Sequence, residues 1–572
     1  MTVFHQVSKD LSDIVESVFH LKLEKVGLSF ASEHGELSTN ISFVLGKLLL
    51  KNPFDVGMLL KARLEELEYV KIVEVARPGF INLTLKDVFW HKHFLNIIEN
   101  NAEYMTPNVG LGKRVNVEYV SVNPTGPMHI GHARLAAYGD VLAMLLKKCG
   151  FAITKEFYIN DYGGQINDLV NTVWIRYKNI VLNEDEQIPE GLYPGEYLIA
   201  VAKEISDLYG NALLTSQDWF AIVRKHTIDS MMRLIKQDLE CIKVQHDVFT
   251  SEALLHQDGK VEKAVALLKN KNLVYEGVIP EPKGHQGSQR EPDVPQLLFK
   301  STQFGDSQDR SLAKGDGSWS YFGGEIAYTK DKIDRGFESL IVVLGADHIG
   351  YVDRLKAAVN ALSDDKVDCH IRVCQLVRYF EDGVPIAMSK RKGTFASVQS
   401  LIEEIGCDVF RFMMISKANE VGLDIDITKV QAQSKDNPIF YVNYAYARSK
   451  SVLRKIEEHF PQCLNNLEIN TCDMSQLTRK EELAIIRKFT QWPKVLEDAA
   501  LSLEPHRIVA YLQDLAVQFH YLWDLCDVKS PYRLIVKDDL SLTVARSLIA
   551  RATINIIDSG FDIIGIEPMN SM

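Results

Sequence analysis

The sequence predicts a multidomain protein built around an α/β domain with a parallel sheet. A small α+β domain precedes it and an all-α bundle follows it. The chain has 572 residues, of which 46% are apolar, and this is more than one hydrophobic core normally organises. Strand-like and helical patterns alternate through the middle of the chain, whereas the segment from about residue 430 onward is helical.

Residues 1–105 are predicted to form the α+β domain. A helical pattern opens the segment, and VKIVEVARPGFINLTL then alternates as two strands would around the turn residues Pro78 and Gly79. Nothing in these residues points to catalysis by itself.

The central domain, residues 106–430, opens with a strand, a turn, a helix and a second strand. RVNVEYVS is strand-like, NPTGP is a turn, and His129 then opens a helix that Gly150 can end. The second strand is FAITKEFYIND. This order of elements is the opening of a Rossmann-type nucleotide-binding unit.

The second half of the parallel sheet is predicted after a long insertion. We interpret residues from about 170 to 300, which include the loop PEPKGHQGSQREPDVPQ, as a helical insertion. SLIVVLGADH and HIRVCQLVRYF are the next predicted strands, and Asp382-Gly383 is a hairpin signal. Residues 431–572 are predicted to form the helical bundle, without internal repeats.

Charge and cysteine content limit the class of protein. The net charge of −12 argues against indiscriminate binding to nucleic acid but is compatible with a local basic face. The eight cysteines show neither C-x-x-C pairs nor zinc-finger spacing, which indicates a reduced, intracellular protein without bound metal. The N-terminus lacks the apolar core of a secretory signal, and no membrane-spanning stretch is evident, so we expect a cytoplasmic protein.

The first candidate site is the tetrapeptide His129-Ile130-Gly131-His132. A helix N-terminus attracts anions through its free amides and its dipole, and two imidazoles on the first turn can donate to phosphate oxygens. Gly131 leaves room for a flat base. Two surface histidines at a helix start are the alternative, but the strand and turn before them favour a nucleotide site.

The second candidate site is Met388-Ser389-Lys390-Arg391-Lys392-Gly393. Three cations in a short loop that ends in glycine can close over a triphosphate and neutralise charge that develops at the α-phosphate. Such a loop alone is more often a solvated basic turn. Its position directly after the second half of the sheet favours the nucleotide site.

Together the two segments resemble the HIGH and KMSKS signatures of class I aminoacyl-tRNA synthetases. Further blocks resemble arginyl-tRNA synthetases, in order, along nearly the whole chain: GELSTNISFVLGK, VARPGFINLTL, VEYVSVNPTGPMHIGHARLAAYGD, YINDYGGQI, SYFGGEIAYTKDKIDRGF, GADHIGYVDRLKAA, MSKRKGTFASVQSLIEEIGCDVFRF and NPIFYVNYAYARS. The resemblance implies activation of L-arginine with ATP and Mg²⁺ to arginyl-adenylate, followed by transfer to the 3′ end of tRNA(Arg). It also implies that activation requires bound tRNA.

The resemblance assigns catalysis and ATP binding to the two signatures. The implied catalytic residues are His129, His132 and Lys390. The implied ATP-binding residues lie in the signatures and in the turn before the first: Asn123, Pro124, Thr125, Gly126, Pro127, Met128, Ile130, Gly131, Met388, Ser389 and Arg391.

The resemblance also implies an arginine pocket. Its residues are Glu118, Ser121, Asn123, Tyr321, Glu325 and Asp347. Asn123 falls where the family holds the α-amino or carboxylate group, and Tyr321 falls where a tyrosine lines the guanidinium pocket. Carboxylates suit a planar, permanently charged guanidinium, and the three acids are expected at the carboxyl edge of the sheet. For each acid alone, a solvated surface group is the alternative.

Four positions depart from the family pattern. Ala387 stands where the first lysine of KMSKS is expected, which puts ATP affinity in question. Glu325 replaces the usual aspartate and is one methylene longer. Asn443 and Tyr446 stand where glutamine and histidine are expected.

The flanking domains resemble the parts of the family that contact tRNA. The C-terminal bundle resembles the anticodon-binding domain, and the N-terminal domain resembles the module that touches the tRNA elbow. Tyr441, Arg448 and Lys455 recur every seven residues and share a helix face. Tyr441 and Arg448 are predicted to bind tRNA, because aromatic and basic groups suit unstacked bases and phosphates. An ordinary amphipathic helix with Tyr441 in its core fits equally well.

Three other functions stay open from the sequence. A HIGH-bearing nucleotidyltransferase is disfavoured by the length and by the helical bundle. A cysteine-specific relative would need zinc ligands, which the cysteine spacing does not offer. A non-enzymatic tRNA-binding paralogue has Ala387 in its favour, and His129, His132 and Lys390 against it. We expect a monomer.

Overall fold

The structure, a computed structural model, describes residues 2–23, 26–31, 35–99, 105–278, 294–385, 397–432, 437–460, 472–526 and 530–571. The predicted arrangement of an α+β domain, a parallel α/β domain and a helical bundle is confirmed. The second candidate site, with Ala387, Met388, Ser389, Lys390, Arg391 and Lys392, lies outside the described residues.

The N-terminal part is an antiparallel sheet packed against helices. Its strands, in the sheet order β1-β2-β4-β3, are β1 (Leu28–Phe30), β2 (Leu37–Thr39), β3 (Val70–Ala76) and β4 (Phe80–Leu85). The helices are α1 (Val3–Phe19), α2 (Ile41–Leu49), α3 (Pro53–Leu64) and α4 (Asp87–Glu99). Thr2 caps α1, and apolar residues at helical spacing turn one face of α1 into the core.

Five parallel strands form the sheet of the central domain. They are β5 (Arg114–Glu118), β6 (Ala152–Ile159), β7 (Val248–Ser251), β11 (Ser339–Gly345) and β12 (Asp368–Cys374). The sheet order is β12-β11-β5-β6-β7, so the chain runs outward from β5 in one direction and later returns to its other side. Ligands of open parallel sheets bind at such a reversal, beyond the carboxyl ends of the strands.

The helix α5 (Ile130–Lys148) connects β5 to β6 and begins at that reversal. Gly150 follows its end with a φ of 87°, and its N–H donates to the carbonyl of Lys147. Glycine takes this left-handed conformation without strain, as the sequence predicts for the end of the helix.

The long segment between β6 and β11 is only partly helical. Its helices are α6 (Gly164–Leu182), α7 (Tyr197–Tyr209), α8 (Trp219–Cys241), α9 (Glu252–Gln257), α10 (Lys260–Asn270) and α11 (Tyr321–Asp334). It also contains an antiparallel sheet of β8 (Val274–Gly277), β9 (Gln296–Phe299) and β10 (Arg310–Ala313). Strand β7 lies inside the expected helical insertion, but it pairs with β6 and forms an edge of the main sheet. Its four residues are too few to show the alternation of apolar and polar residues that identifies a strand in a sequence.

After β11 the chain forms α12 (Val352–Ser363), then β12, and then a small separate sheet. That sheet consists of β13 (Val377–Glu381), β14 (Val384–Pro385) and β15 (Leu423–Asp426), and it is accompanied by α13 (Val398–Ile405), α14 (Cys407–Met414) and α15 (Ile427–Gln431). HIRVCQLVRYF is therefore two strands rather than one. Glu381 pairs with Val384 across Asp382 and Gly383, which both have positive φ, so the predicted hairpin turn is confirmed.

The C-terminal bundle consists of α16 (Pro438–His459), α17 (Lys480–Ser502), α18 (His506–Asp524) and α19 (Leu540–Ile564). Helix α19 is long and apolar enough to cross a membrane by length and composition, but 67% of the window that meets this criterion is buried inside the fold. It is therefore the core helix of the bundle. One continuous apolar core extends from α1 through the sheet to α19.

Candidate active site

The first turn of α5 carries both histidines of the first signature. His129 is the N-cap residue, and its Nδ1 accepts a hydrogen bond of 3.0 Å from the N–H of Gly131. The ring centroids of His129 and His132 lie 3.6 Å apart in a stacked arrangement. Two imidazoles and the amides of a helix N-terminus thus lie together, and these are groups that can bind a phosphate.

Two helices of the insertion hold the turn that leads into α5. The Tyr197 hydroxyl on α7 donates to the carbonyl of Thr125 at 2.6 Å. The N–H of Met128 donates to the carboxylate of Asp238 on α8 at 2.8 Å. Burial raises the pKa of Asp238, and the hydrogen bond from Met128 partly opposes that rise. The position of the turn therefore depends on the insertion as well as on the sheet.

The chain leaves β5 through two residues in the left-handed region. Val120 has a φ of 72° and Ser121 a φ of 41°. A positive φ is strained for a β-branched residue such as Val120. The Ser121 hydroxyl donates to Glu118 and accepts from the N–H of Tyr158, both at 3.1 Å. Such strain persists only where the surroundings impose it, and it is concentrated at functional sites.

Glu118, the last residue of β5, is buried in an ion pair that the sequence does not suggest. Its Oε2 accepts from the Nζ of Lys332 on α11 at 2.8 Å. Lys332 also lies 3.8 Å from the centroid of the Tyr328 ring. Burial lowers the pKa of Lys332, but the carboxylates of Glu118 and Glu325 outweigh burial and raise its pKa overall.

Two further carboxyl groups lie in the same pocket. Burial, and then the charge of Glu118, raises the pKa of Glu325 to about 7, against the opposing effect of Lys332. Burial, and then Glu325 and Asp161, raises the pKa of Glu252 on α9 to about 8. A Cβ at Gly324 would lie 2.7 Å from Oε1 of Glu252, so glycine lets Glu252 approach α11. Acids with raised pKa values in one buried pocket favour a cationic ligand.

Asn123 and Tyr321 lie at the rim. The Asn123 side chain donates to Gln165 and accepts from Asn160, both at 3.0 Å. Tyr321 is the first residue of α11 and is 61% exposed. A Cβ at Gly163 would lie 3.8 Å from its ring and hydroxyl, so the backbone of Gly163 lies directly beside the ring.

The expectation that three acids share the carboxyl edge of the sheet is met only in part. Glu118 ends β5 and Asp347 follows β11, but Glu325 is carried by α11. Asp347 lies in the 3₁₀ turn Ala346–Tyr351, with its side chain 77% exposed and Oδ2 3.4 Å from Nε2 of His348. The contacts that join Glu118 and Ser121 do not include it.

The sequence interpretation did not identify Lys332, Glu252, Tyr158 or Tyr328. Helical spacing could have revealed part of this set, because polar side chains recur at helical spacing along the largely buried α11: Tyr321, Glu325, Tyr328 and Lys332, followed by Arg335 at the C-cap. Glu252 offers no such signal, since it opens a six-residue helix after a four-residue strand. Within the described ranges, no group of three His, Cys, Asp or Glu residues could hold a metal ion.

Tyr441 and Arg448 contact neighbouring side chains of the bundle. The Tyr441 ring lies 4.3 Å from the ring of His520 on α18. The Arg448 guanidinium donates to the Tyr444 hydroxyl at 2.8 Å and lies 4.8 Å from the Trp523 ring. Both residues are half-buried, whereas Lys455 on the same helix is exposed.

The two departures in this helix have structural contacts. The side-chain oxygen of Asn443 accepts from the N–H of Met569 at 2.9 Å, and Tyr446 is buried. Asn443 therefore helps attach the C-terminal residues to α16.

Comparison with known proteins finds a matching family model for each of the three parts of the chain. Residues 2–85 match the arginyl-tRNA synthetase N-terminal domain, residues 93–404 match the class I (R) tRNA synthetase catalytic domain, and residues 442–572 match the DALR anticodon-binding domain.

Similar proteins extend over the full length of the chain. An arginine–tRNA ligase of Rickettsia bellii (strain OSU 85-389) is 47% identical over 581 aligned residues that cover 100% of both chains. The Rickettsia prowazekii (strain Madrid E) ligase is 45% identical over 578 aligned residues, again with 100% of both chains covered. The solved Thermus thermophilus arginyl-tRNA synthetase shares the fold, with a TM-score of 0.72 at 17% identity and 100% coverage of both chains. The chain therefore belongs to the arginyl-tRNA synthetase family of class I aminoacyl-tRNA synthetases.

Proposed function

We propose that this protein activates L-arginine with Mg²⁺-bound ATP and transfers the arginine to the 3′ end of tRNA(Arg). The arginine carboxylate attacks the α-phosphorus and pyrophosphate leaves; a ribose hydroxyl of the tRNA then attacks the adenylate carbonyl and AMP leaves. The observation that supports this best is the proximity of an anion site and an acidic pocket. The loop 119–128 joins Glu118 in the pocket directly to His129 at the start of α5. We further propose that the protein acts as a cytoplasmic monomer.

In the ATP half of the site, His129 and His132 would bind and orient phosphate oxygens. The turn and first helical residues, Asn123, Pro124, Thr125, Gly126, Pro127, Met128, Ile130 and Gly131, would surround the nucleotide. From the resemblance, Met388, Ser389, Lys390 and Arg391 would contact the phosphates from the second signature. Their segment ends at Ser397, whose backbone forms an antiparallel bridge with that of His129, and this contact supports a shared role for the two signatures.

In the arginine half, Glu325 would bind the guanidinium, and Glu252 lies close enough to share it. Tyr321 would cover the pocket at its mouth. Glu118, held by Ser121, would face the α-amino group, together with Asn123. Asp347 would contact arginine only at the exposed margin, as its side chain lies in solvent.

The first test is ATP–pyrophosphate exchange with each amino acid in turn, with and without tRNA. We expect exchange with arginine alone, and only when tRNA(Arg) is present. Citrulline, which has the shape of arginine without its charge, is the matched control and should be inactive because the acidic pocket selects a cation. Exchange with a different amino acid would refute the specificity, and full exchange without tRNA would refute the dependence on tRNA.

The second prediction concerns Glu325→Gln, which keeps the shape and removes the charge. Arginine affinity should fall by about tenfold or more, since a hydrogen bond to a charged group is worth roughly 1.5–3 kcal/mol. The pKa of Glu325 is raised to about 7, so the charged form appears as the pH rises through that value. Wild-type affinity for arginine should therefore strengthen with pH, and the variant should keep only the part of this dependence that comes from Glu252, whose pKa is raised to about 8.

Calorimetric titration with arginine measures both effects, and ATP affinity serves as the control. If Glu325→Gln binds arginine with wild-type affinity, another acid binds the guanidinium.

The third prediction concerns His132→Ala and Lys390→Ala. Negative charge builds on the phosphoryl oxygens as pyrophosphate leaves, so donors there stabilise the transition state more than bound ATP. Each variant should lower kcat for activation by roughly 100- to 1000-fold and change the KM for ATP only a few-fold. Near-normal kcat in Lys390→Ala would show that the second signature is not catalytic and would favour a rewired loop.

The fourth prediction concerns tRNA binding by α16. Tyr441→Ala and Arg448→Ala should raise the KM for tRNA, because loss of one stacked base costs roughly 1–3 kcal/mol, and should leave ATP affinity unchanged. Tyr441→Phe keeps the ring and should behave as wild type. A lowered melting temperature with unchanged tRNA affinity would instead assign Tyr441 to packing against His520.

A further inference from the structure

Lys332 is a buried cation that belongs to none of the substrate-binding roles assigned above. Its side chain is 2% exposed, and its ammonium lies 2.8 Å from Oε2 of Glu118. The ring of Tyr328, one helical turn earlier on α11, covers it at 3.8 Å. A lysine loses its hydration in such a place, and a buried ion pair adds little net stability compared with apolar packing. Its position therefore calls for a reason other than stability.

Within the part of the chain that the structure describes, the ion pairs around Lys332 leave Glu325 without a paired lysine or arginine. Glu118 is paired with Lys332. On the neighbouring strand, both oxygens of Glu156 accept from Arg335 at 2.8 Å. Among the described residues, no lysine or arginine forms an ion pair with Glu325. When ionised, Glu325 is thus the acid that remains available to an entering cation.

We propose that Lys332 is a positioning residue of the arginine pocket: its ammonium holds Glu118 and offsets that charge, so that Glu325 can be ionised when arginine binds. This inference rests on the proposed function, because Glu325 is there assigned to the guanidinium. Lys332 itself does not touch the substrate. It acts indirectly, because it holds Glu118 in place and adds a positive charge near Glu325.

The effect has a definite sign. Without Lys332, Glu118 would be a buried carboxylate beside Glu325, and two such acids do not ionise together easily. Glu325 would then take up a proton at neutral pH, and the guanidinium would lose its charged partner. The other titratable groups that face this cluster are Tyr328 on α11, Arg335 at the C-cap of α11, Glu156 and Tyr158 on β6, Asp161 after β6, Glu252 on α9 and Cys369 on β12.

The test is calorimetric titration of the full-length protein with arginine from about pH 4 to 9, a range that spans ordinary and raised carboxyl pKa values. In Lys332→Met, the pH at which half of the arginine affinity is reached should rise by about 1–3 units. In Glu118→Gln, this pH should fall, because the acid that opposes ionisation of Glu325 is gone. The double variant Lys332→Met/Glu118→Gln should lie between the two.

Lys330→Met is the matched control. Lys330 lies on the same helix and pairs with Asp334, a carboxylate with a 62% exposed side chain, so its removal should leave the arginine profile unchanged. ATP affinity should be the same in all variants. If Lys332→Met does not fold, the downward displacement in Glu118→Gln still tests the proposal.

Several outcomes would overturn the role of Lys332. A loss of arginine affinity in Lys332→Met that is equal at every pH would show a structural role only. An unmoved profile in Glu118→Gln would show that Glu118 does not control Glu325. If Glu325→Gln itself binds arginine normally, the assignment of the guanidinium fails; if Glu325→Gln loses affinity while Lys332→Met keeps the wild-type profile, only the role of Lys332 fails.

Discussion

The buried ion pair between Asp140 and Arg411 is the contact on which the relation between the domains depends. Asp140 lies in the middle of α5 and accepts from Arg411 at 2.7 Å, from Lys155 on β6 at 3.2 Å and from the Tyr119 hydroxyl at 3.3 Å. Arg411 also donates to the carbonyl of Ile564 at 2.6 Å, where α19 ends. A guanidinium suits the unpaired carbonyls of a helix C-terminus. Helix α5, the sheet and the bundle thus meet at one buried side chain.

Removal of Asp140 would leave the charge of Arg411 without a carboxylate in the core, and an unpaired buried charge typically destabilises a fold by about 3–5 kcal/mol. Arg411 therefore constrains more than its own helix, because α5 cannot tilt without breaking the pair. A rigid α5 in turn allows backbone strain in the loop that leads into it. The left-handed Val120 and Ser121 are adjacent to Tyr119, whose hydroxyl bonds Asp140, so the strained turn begins at a fixed point.

Local features of the fold and site could be predicted from the sequence, and long-range ones could not. Gly150 and the pair Asp382-Gly383 mark a helix end and a hairpin, because positive φ favours residues of those types at those places. The position of the two histidines on the first turn of α5 is equally local, because the strand and turn directly before them predict where the helix begins. By contrast, β7 becomes a strand only through pairing with β6, and four residues are too few to show a period.

The charges of the pocket illustrate the same limit. Lys332 and Glu118 are far apart in the chain, and their pairing depends on how α11 packs on β5. The resemblance indicated Glu118 and Glu325 as acids of the pocket, but neither the partner of Glu118 nor the raised pKa of Glu325 can be predicted from residue types. Both follow from burial, which is a property of the assembled fold.

A second buried arginine attaches the small sheet, which leads into the second signature, to the helix that follows the first signature. Arg134 on α5 donates to the carbonyls of Gln375, Ala418 and Val421 at 2.8–2.9 Å, and these residues flank two strands of the small sheet, β13 and β15. The chain leaves that sheet along β14 and enters the segment that carries Lys390. On the other side of this segment, the backbone of Ser397 bridges that of His129. The small sheet before the segment and the residue directly after it are therefore both attached to α5, the helix that presents His129 and His132. The shared attachment supports the proposal that Lys390 and the two imidazoles bind the same phosphates.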